Sequence, residues 1–227
     1  MTNSQVSHRI VLGLCTATVA SLSLLAAPHS AQAATVQFTD LGSFQANTTG
    51  LTNIDFEGLA PTGGSTDYGN GLTTNGVKFI GSSNYLYVVD PAFSPSLYDW
   101  GSGAVLLGNE FGTITATLPS GVTAVSSDIM SIVDYASPFT ITLSTGETFN
   151  INSLSYPNRQ FIGFTSDTSI ASISFQANSG YPELDNFRYG FSNTNTTAVP
   201  EPFTIIGTLV GGTAAFRIRK KLKASAS

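Results

Sequence analysis

The chain has 227 residues, with 14 acidic and 9 basic side chains, a formal net charge of −5, one cysteine and two histidines. Charge is uneven along it: residues 34–198 hold thirteen acidic residues against Lys78, Arg159 and Arg188, a formal net charge of −10, and the other basic residues lie at the two ends. So acidic a middle, without a basic patch, excludes nucleic acid and anionic lipid surfaces as partners and suits cations.

At the N-terminus, His8 and Arg9 precede the apolar run I-V-L-G-L-C-T-A-T-V-A-S-L-S-L-L-A-A, followed by Pro28 and A-Q-A at 31–33. A basic start, an apolar segment and an A-x-A site read as a secretory signal peptide over 1–33, helical in its apolar part and cleaved after Ala33. The competing reading is a retained anchor, because Ile10 to Ala27 just reaches across a bilayer. Cys15 follows Leu14 rather than a small residue, which argues against a lipoprotein signal. Cys15, His8 and His29 all fall in this segment, so cleavage leaves a chain with no thiol and no imidazole. That removes disulfides, thiol nucleophiles, Cys and His metal ligands and His-based triads.

From residue 34 the period is two almost everywhere. V-K-F-I at 77–80, Y-L-Y-V-V at 85–89, A-V-L-L at 104–107, I-T-A-T-L at 114–118, F-T-I-T-L at 139–143, T-F-N-I-N at 148–152 and I-A-S-I-S-F at 170–175 read as strands, most of them with one buried and one wet face. Turn formers separate them: P-T-G-G-S-T at 61–66, G-N-G at 69–71, P-S-G at 119–121, S-T-G at 144–146 and N-S-G at 178–180. A hairpin is expected across Thr145-Gly146, with Phe139, Ile141 and Leu143 on one face. No window shows a helical face, and residues 35–50 and 90–103 read as loops. The fold expected is all-β: an antiparallel β-sandwich, jelly-roll-like, over 34–191, flanked by the signal-peptide helix and a C-terminal transmembrane helix. A barrel is the rival closure.

Residues 192–199 read as a small-polar linker. Pro200, Glu201 and Pro202 follow, then the uncharged run Phe203 to Phe216, then Arg217, Arg219, Lys220, Lys221 and Lys223. Fourteen helical residues span about 21 Å, short of a hydrocarbon core of roughly 30 Å. Extending the span to 203–218 and letting the arginines snorkel closes part of the gap. The basic cluster keeps its end in the cytoplasm and leaves the middle outside. A buried C-terminal helix is the bland alternative, which five basic residues directly after the apolar run disfavour.

Residues 200–227, with the Pro-Glu-Pro, the glycine-containing apolar segment and the basic tail in that order, resemble a PEP-CTERM sorting signal of exported bacterial proteins, cyanobacterial ones included. The resemblance implies recognition of Pro200, Glu201 and Pro202 by an exosortase, a transient inner-membrane anchor, and retention by Arg217, Arg219, Lys220, Lys221 and Lys223. The localisation it implies is a membrane-anchored precursor, then the cell surface, outer envelope or extracellular matrix.

Two acidic stretches lie in strand-like sequence, I-D-F-E-G at 54–58 and E-L-D-N-F-R-Y-G at 183–190. If Ile54 and Phe56 face the core, Asp55 and Glu57 share the opposite face. Plain alternation puts Asp185 on one face with Phe187 and Tyr189. A carboxylate against a buried strand face needs a partner; Ca²⁺ is one, Arg188 or backbone N–H groups are the others. These stretches, with F-I-G-F-T-S-D-T-S-I-A-S-I-S-F at 161–175 and N-G-V-K-F, also resemble jelly-roll domains of PEP-CTERM proteins, some similar to carbohydrate-binding modules. That resemblance implies one structural Ca²⁺ held by Glu57, Asp185 and Asn186, and an extracellular polysaccharide as partner.

Sugar recognition asks for exposed aromatics beside acids and amides. Tyr85, Tyr87, Tyr98, Trp100, Tyr156 and Tyr181 are available, and Tyr98, Asp99 and Trp100 in the long loop are the expected ligand-binding group. Tyr85 and Tyr87 alternate with Leu86, so one face takes both. The expected function is non-catalytic polysaccharide binding. A structural or adhesive surface protein associating through Ca²⁺ is the alternative. A glycoside-active enzyme would need two carboxylates at a set separation, and nothing in the sequence places such a pair.

Overall fold

The chain divides into two compact units, 1–31 and 32–227. The computed structural model describes residues 33–98, 101, 103–132, 138–152 and 158–193, all in the second unit. The expected signal-peptide helix, transmembrane segment, Pro-Glu-Pro motif and retention charges, and also Asp99, Trp100 and Tyr156, lie outside the described residues. Among the described residues no helix is long and apolar enough to cross a membrane.

Among the described residues, fourteen strands form two antiparallel sheets. The larger comprises β1 (Thr35–Phe38), β2 (Thr48–Ile54), β3 (Ser65–Asp67), β6 (Leu86–Val89), β7 (Val105–Gly108), β9 (Ala124–Ser131), β12 (Gln160–Ser166) and β14 (Pro182–Ser192), in the order β1-β12-β9-β14-β7-β6-β3, with β2 also on β14. The smaller runs β11-β10-β13-β8-β5-β4, from β4 (Leu72–Thr74), β5 (Val77–Gly81), β8 (Thr113–Thr117), β10 (Pro138–Leu143), β11 (Thr148–Asn152) and β13 (Ser172–Ala177). From β7 onward most connections cross from one sheet to the other, so each strand adds a face to the shared core. This is the expected β-sandwich.

The hairpin across Thr145-Gly146 is present: β10 and β11 pair from Pro138↔Asn152 to Thr142↔Thr148, and Phe139, Ile141 and Leu143 are buried. Two stretches expected as loops carry regular structure. Residues 35–50 contain β1, the helix α1 (Leu41–Ala46) and the start of β2. The Asp40 side chain caps α1 by accepting from the Ser43 N–H at 2.7 Å. One buried ring, Phe44, holds so short a helix in place; it meets Phe38 and Phe161 at ring-centroid distances of 5.7 Å each. Gly163 makes room for it, since a Cβ there would lie 2.7 Å from the Phe44 ring. In 90–103, a 3₁₀ turn at Pro91–Phe93 leads into α2 (Pro95–Tyr98). Asp90 sets this up, accepting from Ala92 N–H at 2.9 Å and from Gly63 N–H at 3.0 Å.

The core between the sheets is aromatic at its centre. Phe56 meets Phe79, Phe79 meets Phe187 and Phe187 meets Phe175, with centroids 5.4, 5.0 and 6.5 Å apart and edge-on geometry at each step. Edge-on packing suits ring quadrupoles. Phe187, on β14, joins both sheets in this row. Phe187→Ala is expected to lower unfolding free energy by about 3–5 kcal/mol, read as a fall in urea midpoint at unchanged slope; a loss below about 1 kcal/mol would mean the row does not hold the sheets together.

Candidate functional site

Strand β14 decides which side chains leave the core. Leu184 and Phe187 are both buried between the sheets, three positions apart, which plain alternation forbids. The cause is a bulge. Asp185 pairs with Asp128 and Arg188 with Ser126, so two residues of β14, Asn186 and Phe187, stand opposite Ser127 alone. Asn186 adopts φ 48, left-handed backbone that asparagine tolerates better than most residues. The expectation that Asp185 shares a face with Phe187 and Tyr189 is therefore corrected: Phe187 and Tyr189 pack on the core, and Asp185 lies on the outer face.

Displaced polar groups at the bulge find partners. Ser127 Oγ lies 2.9 Å from the carbonyl oxygens of both Asp185 and Asp128, donating its one proton between them. Asn186 N–H donates to Asp185 Oδ1, and Asn186 O accepts from Arg188 Nη1 at 2.8 Å. Asn186 Nδ2 donates at 3.1 Å to Asp128 Oδ2 and at 3.1 Å to Asp185 Oδ2, bridging two carboxylates that face each other across the ladder. Burial holds the Asp128 carboxyl above the ordinary range, against the opposing pull of Arg188, Arg159 and the Asn186 bond.

The expected calcium ligands are not arranged as a cation cage. Phe56 ends the strand-like stretch at φ 60, and Glu57 turns back so that its Oε1 accepts from Ala104 N–H at 2.9 Å. Gly103 accommodates that carboxylate, because a Cβ there would lie 1.5 Å from Glu57 Oε1. The alternation at 54–57 holds in burial, with Ile54 and Phe56 inside and Asp55 and Glu57 exposed. Asp185 and Asn186 are joined to each other, and an amide nitrogen stands where a hard cation would need oxygen. Among the described residues no group of three or more His, Cys, Asp or Glu could hold a metal ion. As arranged, these residues do not fit a bound Ca²⁺.

The same outer face carries a second apolar cluster. Val89, Val105, Leu107 and Met130 form a buried floor, with Tyr87, Tyr98, Ile132 and Tyr181 packed around it. The alternation in β6 sends Leu86 to the core and Tyr85 and Tyr87 outward, their rings 4.7 Å apart. Tyr87 Oη donates to Asp67 Oδ2 at 3.3 Å. Tyr98 arrives from α2, with Phe93 at 6.1 Å between centroids. Burial first, and then the neighbouring Glu183, Tyr85 and Tyr181, pushes the Tyr98 hydroxyl up; burial and then Tyr87, Tyr181 and Asp67 do the same to Tyr85. Both phenols are thus neutral donors across the physiological range; Tyr85 feels Tyr87, Tyr181 and Asp67, and Tyr98 feels Glu183, Tyr85 and Tyr181. All four tyrosines are partly exposed, whereas Glu183 is fully buried on this face.

Of the expected ligand group Tyr98, Asp99 and Trp100, the structure places Tyr98 in this cluster, half-buried. Tyr87 and Tyr181, noted only as available, join it, and Tyr85 packs against Tyr87. Sequence reasoning missed Asp67, Glu183 and Asp128 as site residues. The pairing of β3 with β6, which sets Asp67 opposite Tyr87, is not legible in D-Y-G-N-G. The outer face of the smaller sheet differs in kind. It is chiefly hydroxyl and amide, and bonds to itself, as in Thr115–Ser174 at 2.9 Å, Thr140–Asn150 at 3.2 Å and Thr142–Thr148 at 3.3 Å.

No protein-family model matches the chain, and no curated protein matches it. Among solved structures it is similar to the C-terminal CBM6 of a marine laminarinase from Zobellia galactanivorans, at 15% identity and TM-score 0.31 over 62% of this chain and 98% of that one. It is also similar to a variant of the family 29 carbohydrate-binding module CBM29-2, at 14% identity and TM-score 0.34 over 65% and 96%. A third is CsCBM6-3 from Clostridium stercorarium in complex with cellobiose, at 14% identity and TM-score 0.29 over 60% and 99%. The two-sheet sandwich is defined by the strand pairing of the chain itself.

Two outcomes are expected at the bulge. Because the folded-state pKa of Asp128 is raised, its contribution favours the fold fully below the unfolded value and is lost as pH rises through the folded one. Asp128→Asn, which keeps the neutral form at every pH, is expected to raise the melting temperature at pH 7 by about 2 °C and to leave it unchanged near pH 3. A destabilised variant at pH 7 would mean that Arg188 and Arg159 outweigh burial. Millimolar Ca²⁺ is expected to leave the wild-type melting temperature unmoved; a rise abolished by Glu57→Gln with Asp185→Asn would mean that the ion displaces the bonds described here.

Proposed function

We propose that this is an exported protein, displayed at the cell surface, outer envelope or extracellular matrix, whose β-sandwich binds extracellular polysaccharide without catalysing a reaction. The observation carrying this reading is a set of four partly exposed tyrosines, with Tyr87, Tyr98 and Tyr181 packed on one buried apolar floor, Tyr85 against Tyr87, and the exposed Asp67 bonded to Tyr87. Aromatic rings offer sugar C–H faces a flat apolar surface, and the exposed Asp67 carboxylate and the phenols exchange hydrogen bonds with ring hydroxyls. A floor of packed strands holds the rings before the ligand arrives, which lowers the ordering cost of binding. The net charge of −10 over 34–198 favours neutral or cationic glycans over polyanionic ones.

Delivery follows from the ends of the sequence. The signal peptide over 1–33 directs export. The 203–218 segment pauses in the inner membrane, held by Arg217, Arg219, Lys220, Lys221 and Lys223, until an exosortase acts at Pro200, Glu201 and Pro202.

The test is binding of the secreted chain to immobilised neutral polysaccharides. Tyr85→Ala and Tyr181→Ala are each expected to weaken binding about tenfold, the equivalent of a lost ring contact of about 1.4 kcal/mol, with thermal unfolding unchanged within a few degrees. No binding to any polysaccharide, with or without Ca²⁺, would overturn the reading in favour of a structural or adhesive role. Wild-type affinity in both variants would move the site off this face.

A further inference from the structure

The described fold begins at the residue expected to leave and the residue expected to become the mature N-terminus. Ala34 sits at the end of the β1–β12 ladder and is bonded twice to Asp167, on the turn after β12. Its N–H donates to Asp167 Oδ1 at 3.0 Å, and its carbonyl oxygen accepts from Asp167 N–H at 3.2 Å. The neighbouring Thr35 donates its hydroxyl to Glu147 Oε1 at 2.7 Å, from the turn between β10 and β11. Glu147 Oε2 is buried without a hydrogen bond in good geometry. Ala33 and Thr35 line a shallow pocket there with Gly146, Glu147, Thr148 and Phe149.

We propose that removal of the leader between Ala33 and Ala34 installs an ion pair that the precursor lacks, the new α-ammonium of Ala34 on the Asp167 carboxylate, with Glu147 as the second anion beside the vacated Ala33 position. This rests on the export reading above. The step is hydrolysis by a membrane signal peptidase. The Ala33–Ala34 amide C–N bond breaks, water supplies the hydroxyl to the Ala33 carbonyl carbon and a proton to the Ala34 nitrogen, and at neutral pH a carboxylate departs with the leader while an ammonium stays. One N–H···O⁻ bond to a neutral amide thereby becomes a charge-assisted one.

Most exposed ion pairs contribute little because two long side chains must be ordered. Here the cation is on the main chain and the ladder already fixes it, so that ordering cost is absent. The charged group facing it is Asp167 from the β12–β13 turn, and the next anion, Glu147 from the β10–β11 turn, is bonded to the neighbouring Thr35.

The experiment uses the full chain expressed in a secreting bacterium and purified as processed. Mass spectrometry of the N-terminal peptide first reports the cleavage position; a start at any residue other than Ala34 overturns both the cleavage reading and the ion pair. With Ala34 confirmed, the rate of α-amine acylation is followed across pH 6–9. The wild-type amine is expected to react roughly threefold more slowly near neutral pH than an unpaired terminal amine, and Asp167→Asn is expected to restore the rate. Equal rates would overturn the ion pair while leaving the cleavage reading intact. If Asp167→Asn is not secreted, the wild-type pH profile decides alone: a midpoint at or below the ordinary α-amino value of about 8 overturns the proposal.

Discussion

One irregular position in β14 sets up both faces of the larger sheet. A strand that alternated strictly could bury Leu184 or Phe187 between the sheets but not both, and Phe187 is the ring that links Phe79 to Phe175. The bulge at Asn186 resolves this by inserting one residue opposite Ser127. Bulges leave backbone groups unpaired, and in a buried strand each such group costs free energy. Here Ser127, the Asp185 side chain and Arg188 take them up, so the strand shifts register without leaving them open. The cost appears elsewhere, as two carboxylates facing each other and held apart by one amide.

The outer face follows from that shift. With Leu184 and Phe187 turned inward, Glu183, Asp185 and Arg188 turn outward beside Met130 and Asp128 of β9 and Leu107 of β7. The apolar members form a floor, and the tyrosines of β6, α2 and the β13–β14 connection close around it. An apolar outer face on a sandwich sheet must be covered by something. At the β12 end α1 covers it with Phe44; at the β6 end partly exposed tyrosines do, and these keep a polar tip in water. The smaller sheet has no such need, since its Thr, Ser and Asn side chains satisfy one another.

Strands with one wet face were the legible ones. V-K-F-I, F-T-I-T-L and T-F-N-I-N alternate because β5, β10 and β11 each have a solvated side. A-V-S-S-D-I-M-S and Q-F-I-G-F-T-S do not alternate, since β9 and β12 are covered over most of both faces and use Ser and Gly where packing is tight. In residues 35–50, α1 was hidden because a single ring, Phe44, holds it. Within the candidate site, alternation of Tyr85 and Tyr87 about Leu86 was readable, but which sheet face received them was not. Asn186 gave no signal at all: a left-handed asparagine in E-L-D-N-F-R-Y looks like any other strand residue until the register is known.

In the proposed function, ligand meets the tyrosine face of the larger sheet. Hydroxyl-radical footprinting of the secreted chain, with and without a bound neutral polysaccharide, tests it most directly, residue by residue. Protection of Tyr85, Tyr87, Tyr98 and Tyr181 is expected, with no change at Phe149 or Phe175. Unchanged tyrosines, with protection instead along Ile80 and Lys78 on the smaller sheet, would contradict it.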